Sequence, residues 1–316
     1  MASQEPGAAS HAEPGAGAEP GAGPTTPNPT KKFQLCIVMD TTYSMQRWIN
    51  AARDMLLSAV AKILAENPDA IISLAFVAYR DHADYIEHSD FSGPIVIPFT
   101  NDIESVQERI CSMRAIGGGD TSEDVAGGLY NAFHLDWCND IETIKILMLV
   151  TDAPAHGKDW HDVAIDDDYP RGDPQGRCPA ELVASLAERG IDMTFYKCND
   201  TTDLMIRRFK EAHTEGASRP TGAGEDANFI VRKVAQQDKP LSYSSYHGSE
   251  FDCDDAVRSL GVCRGFDDDE PAPINKSSNE SSEFMDGINE AFNRSKESKA
   301  RHIARVKLMK SAASAD

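Results

Sequence analysis

Residues 33–40 constrain the fold of this chain more than any other stretch. Phe33, Leu35, Cys36, Ile37, Val38 and Met39 are apolar with almost no alternation, and Asp40 closes the run. A strand of that kind has to be buried on both faces, as in the middle of a parallel sheet covered by helices. The next apolar residues, Met45, Trp48, Ile49, Ala52, Met55, Leu56, Val60, Ile63 and Leu64, recur at helical spacing and stop at Asn67-Pro68. Strand and helix then keep alternating. Strands are predicted at 71–79, 95–99, 144–150, 191–196 and 229–234, and helices near 102–113, 122–137, 179–189 and 204–212. The alternation predicts an α/β fold: a doubly wound, mainly parallel sheet with helices on both faces, Rossmann-like in architecture.

The flanks differ in texture. Residues 1–31 hold Glu-Pro-Gly-Ala at Glu5, Glu13 and Glu19 and almost nothing apolar to bury, and are expected to form a disordered arm. The folded domain is assigned to 32–236. An acidic linker follows over 237–280, where Asp267, Asp268, Asp269 and Glu270 run together ahead of Pro271 and Pro273. The last segment, 281–316, spaces Phe284, Ile288, Phe292, Ile303 and Val306 among many lysines and arginines and reads as an amphipathic basic helix.

Charge and composition narrow the function. The 51 acidic residues outnumber the 31 basic ones, for a net charge of −20. The far field of such a chain repels phosphate, so nucleic acid and anionic membranes are not expected partners. No apolar run reaches the roughly 18–20 residues of a spanning helix, and no signal-like apolar stretch opens the chain. The 7 cysteines are scattered without a CxxC pair. A cytoplasmic protein, with the nucleus as the alternative, is the expectation.

Three loops at predicted strand ends carry oxygen ligands, and in an open parallel sheet the ligand site lies outside the carboxyl ends of the strands. The first is Asp40-Thr41-Thr42-Tyr43-Ser44, a carboxylate followed by hydroxyls two and four residues on. The second is Gly117-Gly118-Gly119-Asp120-Thr121, whose glycines permit close backbone approach. The third holds Asp152, directly after Leu149-Val150-Thr151. In the plainer alternative, Asp40 and Asp152 cap the following helices and the hydroxyls satisfy loop N–H groups.

These residues resemble the von Willebrand factor type A domains, whose metal-ion-dependent adhesion site combines D-x-S-x-S, a threonine or aspartate in a Gly-rich loop, and an aspartate after the fourth strand. The resemblance spans roughly 33–235. The wording of residues 151–157 (TDAPAHG) and 167–174 (DDYPRGDP), with Gly117-Gly118-Gly119-Asp120 followed by Glu123-Asp124, is similar to the A domain of the von Willebrand factor A alpha-kinase group. Thr42 stands where serine is commoner and keeps the hydroxyl. Either Asp120 or Thr121 could supply the second-loop ligand, and the Gly-Gly-Gly-Asp pattern favours Asp120. The resemblance implies a cation site of Asp40, Thr42, Ser44, Asp120 and Asp152, with Thr42 and Ser44 binding directly and the aspartates directly or through water. Hard oxygen donors with retained waters suit Mg²⁺, with Mn²⁺ or Ca²⁺ as alternatives. An open coordination position would accept an Asp or Glu carboxylate from a protein partner.

The function expected on these grounds is divalent-cation-dependent protein binding without catalysis. One alternative is a targeting or regulatory component of an alpha-type protein kinase system; residues beyond 236 are too few and too polar for a kinase domain. Another is a phosphohydrolase with an aspartate nucleophile, but that chemistry resembles D-x-D-x-T, and Thr42 occupies the place of the second acid. The polar cluster of His156, Asp159, His161 and Asp162 is read as loop histidines bonded to backbone, and His82 and His88 as surface loop. Asp252, Asp254 and Asp255 match no full calcium loop.

Overall fold

The structure is a computed structural model. It describes residues 31–46, 48–49, 60, 63–87, 93–162, 164–219, 227–233 and 280–313. The arm expected over 1–31 and the linker over 237–280 lie almost wholly outside the described residues, as does most of the helical pattern between 50 and 62.

Six strands form one sheet: β1 (Lys32–Asp40), β2 (Ile71–Tyr79), β3 (Ile95–Thr100), β4 (Ile144–Thr151), β5 (Asp192–Lys197) and β6 (Phe229–Lys233). Their order is β3-β2-β1-β4-β5-β6. Every neighbouring pair is parallel except β2 with β3. This is the doubly wound architecture expected from the alternation. The strand order reverses between β1 and β4, where such sheets open a crevice at their carboxyl edge.

The unbroken apolar run of β1 follows from its central place. Phe33, Leu35, Ile37 and Met39 join one buried core with Trp48, Ile49, Leu74, Phe76 and Met148. Cys36 and Val38 face the other core, with Tyr79, Leu129, Leu147, Val183 and Phe209. Two hydrophobic layers on one strand leave only the half-buried Gln34 as a polar position between Phe33 and Met39.

The helices are α1 (Asp84–Glu87), α2 (Ile103–Cys111), α3 (Val125–Phe133), α4 (Pro179–Glu188), α5 (Asp203–Ala217) and α6 (Glu280–Ala313). Side-chain caps set two starts: Asp102 accepts from Ser105 N at 3.0 Å and Asp124 from Gly127 N at 2.7 Å. Asp124 therefore shortens the helix predicted over 122–137 and frees the preceding residues for a loop over the sheet edge. Helix α6 reaches the opposite, amino-terminal edge: Phe292 packs on Phe33 with ring centroids 4.8 Å apart, and Ser295, Ser298 and His302 line a cavity with Ile144 and Asp192. No helix among the described residues is long and apolar enough to cross a membrane.

Helices α4 and α5 touch where Gly216 meets Ala184, and a Cβ added at Gly216 would sit 2.0 Å from the Ala184 carbonyl oxygen. The obstacle is backbone, so the helices must part. Gly216→Ala is expected to destabilise by about 1–3 kcal/mol through overpacking, although alanine is the better helix former. Thermal unfolding checks it, and an unchanged or higher melting temperature would show that the two helices separate freely.

Candidate metal centre

The sheet brings three acids to neighbouring strand ends: Asp40 closes β1, Asp81 lies two residues past β2, and Asp152 follows β4 directly. Because β1 pairs with both β2 and β4, these acids share one edge. The Gly-rich segment is laced across the same edge by backbone hydrogen bonds. Tyr43 N donates to Gly117 O at 3.1 Å, Asp124 N to Arg80 O at 3.1 Å and Glu123 N to Pro154 O at 2.9 Å.

Four of the predicted ligands form one hydrogen-bonded chain. Thr42 donates to Asp40 Oδ1 from its backbone N at 2.9 Å and from Oγ1 at 2.7 Å. Ser44 Oγ donates to Asp152 Oδ1 at 3.0 Å, and Thr151 Oγ1 donates to Asp40 Oδ2 at 3.2 Å. The Thr42 and Ser44 hydroxyl oxygens lie 3.3 Å apart. Either hydroxyl could donate across that gap, and each also lies within hydrogen-bond distance of an aspartate oxygen. Asp40, Thr42 and Asp152 are buried, whereas Ser44 and its neighbour Tyr43 are exposed, so the chain of oxygens opens to solvent on one side.

Burial, and then the charge of Asp152, push the Asp40 carboxyl up to about 7, despite the hydrogen bonds from Thr42 and Thr151 that favour its ionised form. Glu123, which the sequence reading gave no role, is pushed well above the usual carboxylate range by burial, with Asp40, Asp81, Asp84 and Asp120 adding to the shift. Glu123 shares a glycine with Thr42: a Cβ on Gly118 would lie 3.1 Å from Glu123 Oε1 and 3.2 Å from Thr42 Cβ. Gly118 also has φ +91°, a conformation that L side chains rarely adopt. Glu123 Oε2 is buried without a hydrogen-bond partner.

Asp120 turns elsewhere. Its Oδ2 accepts from Asp168 N at 2.5 Å, and a carboxylate oxygen of Asp120 lies within 4.8 Å of ligand atoms of Asp81 and His156. The structure thus brings Asp40, Thr42, Ser44 and Asp152 together and places Asp120 in a neighbouring group. Thr121 bonds through its backbone N to Asp166 O at 3.2 Å.

A third group is an ion-pair network. Arg177 Nη2 lies 2.8 Å from Asp124 Oδ1 and 2.6 Å from Asp173 Oδ1, and His82 Nε2 is 3.1 Å from Asp173 Oδ1. Burial raises the Asp173 carboxyl, but hydrogen bonds from His82 and Arg177, with the Arg177 charge, hold it below the usual carboxylate range. His82 and His156, read from sequence as loop residues, are both buried in these networks. The signal available for Asp81 was its place just after a strand, matching Asp40 and Asp152. Nothing in the spacing pointed to Arg177.

Oxygen donors from carboxylates and hydroxyls fit a hard divalent ion. Residues 34–165 match the family model of the von Willebrand factor A domain. Among curated proteins, the chain is similar to Alpha-protein kinase vwkA of Dictyostelium discoideum, at 24% identity over 185 residues. That match covers 58% of this chain and 28% of the relative, so the chain spans little more than a quarter of the relative's length. Solved structures with some likeness include the pilus adhesin SpaC of Lactobacillus rhamnosus GG in its open conformation, at 12% identity and a TM-score of 0.44 over 87% of this chain and 31% of the adhesin. Another is proximal thread matrix protein 1 from the mussel byssus, at 15% identity and a TM-score of 0.36 over 64% of this chain and 42% of that one.

Proposed function

We propose that this chain, which carries a von Willebrand factor A domain, is a divalent-cation-dependent protein-binding module without catalysis of its own. Asp40, Thr42, Ser44 and Asp152 would hold Mg²⁺, joined by Glu123 from the second loop, with Mn²⁺ or Ca²⁺ as alternatives. The observation that carries the proposal is the convergence of four oxygen-bearing side chains at one strand edge: the Thr42 and Ser44 hydroxyls 3.3 Å apart, Thr42 2.7 Å from Asp40 and Ser44 3.0 Å from Asp152. A cation offsets the repulsion between the Asp40 and Asp152 charges.

The exposed side of the site gives the partner its place. An Asp or Glu carboxylate arriving beside Ser44 would complete the cation's shell, with Tyr43, 67% exposed, at the rim. Against a phosphohydrolase stands Thr42, whose hydroxyl is bound to Asp40 where that chemistry needs a second acid. Free thiols at Cys36, Cys138, Cys178 and Cys198 favour a reducing compartment, and we assign the module to the cytoplasm or nucleus. Similarity to an alpha-protein kinase favours a second reading at the level of pathway: the module would target or regulate an alpha-type kinase system.

A pull-down in Mg²⁺ and in EDTA tests the site. Wild-type chain is expected to retain a partner in Mg²⁺ that EDTA releases. Ser44→Ala should retain less in Mg²⁺ and match wild type in EDTA, because it deletes one oxygen while leaving both aspartates. Turnover of p-nitrophenyl phosphate that disappears in Asp40→Ala, together with capture indifferent to EDTA, would replace the binding module with an enzyme.

A further inference from the structure

We propose a second divalent-cation site in this domain, formed by Asp81, Asp120 and His156 and suited to Zn²⁺. Its three residues come from different loops at the sheet's carboxyl edge, after β2, before α3 and after β4. One ligand atom from each lies within 4.8 Å of the others. Ligands about 2.1 Å from a tetrahedral ion sit about 3.4 Å from one another, so the spacing closes on one ion with little movement.

The imidazole is held as a ligand. His156 is 3% exposed; its Nδ1 lies 2.8 Å from Asp167 Oδ1 and its Nε2 2.8 Å from Asp81 Oδ1. In the metal-free chain a proton lies between Nε2 and Asp81 Oδ1; a bound ion would replace that proton while the Nδ1 proton stays directed at Asp167, the carboxylate–histidine–metal arrangement that fixes ring and tautomer. Asp167 is itself anchored, accepting from Gly157 N at 2.8 Å and Tyr169 N at 2.9 Å and pairing with His161 Nε2 at 2.8 Å.

Two buried carboxylate oxygens of the group have no hydrogen-bond partner. Asp81 is fully buried, and its Oδ2 has no hydrogen-bond partner. That oxygen faces the loop carrying Asp120, since a Cβ on Gly119 would lie 3.9 Å from it. Asp120 Oδ1 is likewise buried without a partner. An unpaired buried carboxylate oxygen is costly, and a cation is the partner this geometry offers. The group of His82, Asp124 and Asp173 makes the contrast: Arg177 already lies between its carboxylates and supplies the positive charge. One imidazole nitrogen with two carboxylate oxygens suits Zn²⁺ better than Mg²⁺, and three protein ligands leave a coordination position open.

The site is independent of the Mg²⁺ proposal, and the test keeps them apart. Full-length chain is stripped with chelator, loaded with Zn²⁺, passed through a desalting column and its zinc content measured by mass spectrometry. Wild type and Asp40→Asn are expected to retain an equivalent of Zn²⁺ that His156→Gln and Asp120→Asn both lose. Asp167→Asn should weaken Zn²⁺ by roughly 10–100-fold through loss of the imidazole's orientation. Asp120 is only partly buried, so Asp120→Asn keeps the test decisive if His156→Gln does not fold. Zinc content unchanged in Asp120→Asn would assign the metal to thiols and overturn the proposal, as would a wild type that retains none. Loss of zinc from Asp40→Asn as well would merge the two sites into one and also overturn it.

Discussion

Saturating Mg²⁺ is expected to raise the melting temperature of the wild-type chain at pH 8 and to leave that of Asp40→Ala unmoved. A ligand that binds only the native state stabilises it by RT ln(1 + [L]/Kd), about 2.7 kcal/mol at a hundredfold excess over Kd. Asp40 anchors the response because its Oδ1 accepts hydrogen bonds from Thr42 and its Oδ2 one from Thr151 at the end of β4, and because burial, helped by Asp152, raises its pKa to about 7. Proton and cation therefore compete near neutrality. Mg²⁺ affinity should fall by up to about tenfold for each pH unit below 7, so the thermal shift shrinks between pH 8 and pH 6. The metal-free chain should behave in the opposite sense. An acid whose folded pKa is raised binds its proton more tightly when folded, so Asp40 costs stability above pH 7, and that cost is relieved as pH falls from about 7 towards the unfolded value near 4. Equal Mg²⁺ shifts in wild type and Asp40→Ala would place the cation elsewhere.

Arg177→Met is expected to destabilise the fold by about 3–5 kcal/mol at pH 7, the cost of leaving a buried charge without its partner. Arg177 is the cation between Asp124 and Asp173, both buried, and it also donates from Nε to Asp173 Oδ2 at 3.0 Å. Methionine keeps most of the side chain's volume, so the loss is one of charge and hydrogen bonding. The pH dependence separates this from a packing defect. In wild type, Asp173 has a lowered pKa and adds stability that is present above the unfolded value and lost only as pH falls through the folded one. Without Arg177 the folded pKa values of Asp124 and Asp173 rise, both carboxyls can protonate, and the deficit relative to wild type should narrow between pH 7 and pH 5. Urea denaturation at the two pH values measures it. A deficit that does not change with pH would mean that lost packing, and not the unpaired carboxylates, causes the instability.

The fold was legible in the sequence because burial on both faces leaves its mark locally. A strand between two helical layers is almost wholly apolar, so β1 and β4 stand out as apolar runs interrupted only by Gln34 and Lys145 near their starts, and the acids Asp40 and Asp152 stand out where the runs stop. The D-x-T-x-S spacing likewise showed which hydroxyls could turn towards Asp40, since all three residues lie on one tight loop. The loop spacing grouped Asp40, Thr42 and Ser44, and the ligand set that adds Asp152 came with the resemblance to the von Willebrand factor type A domains.

The second loop was not decided locally. Residues 116–124 are positioned by backbone bonds to Thr41, Tyr43, Arg80 and Pro154, which lie 31 to 75 residues away in sequence. Sequence spacing therefore left Asp120 and Thr121 as rivals and gave Glu123 no part. Only the packed loop puts Glu123 against the glycine beside Thr42 and sends Asp120 to Asp81 and His156. The same holds for the buried histidines. A histidine in a polar loop looks solvated in sequence, and only tertiary contacts with Asp81, Asp167 and Asp173 withdraw His82 and His156 from water. Pattern within a segment reports which face is buried, whereas the meeting of charges from separate loops depends on how the sheet aligns its strand ends.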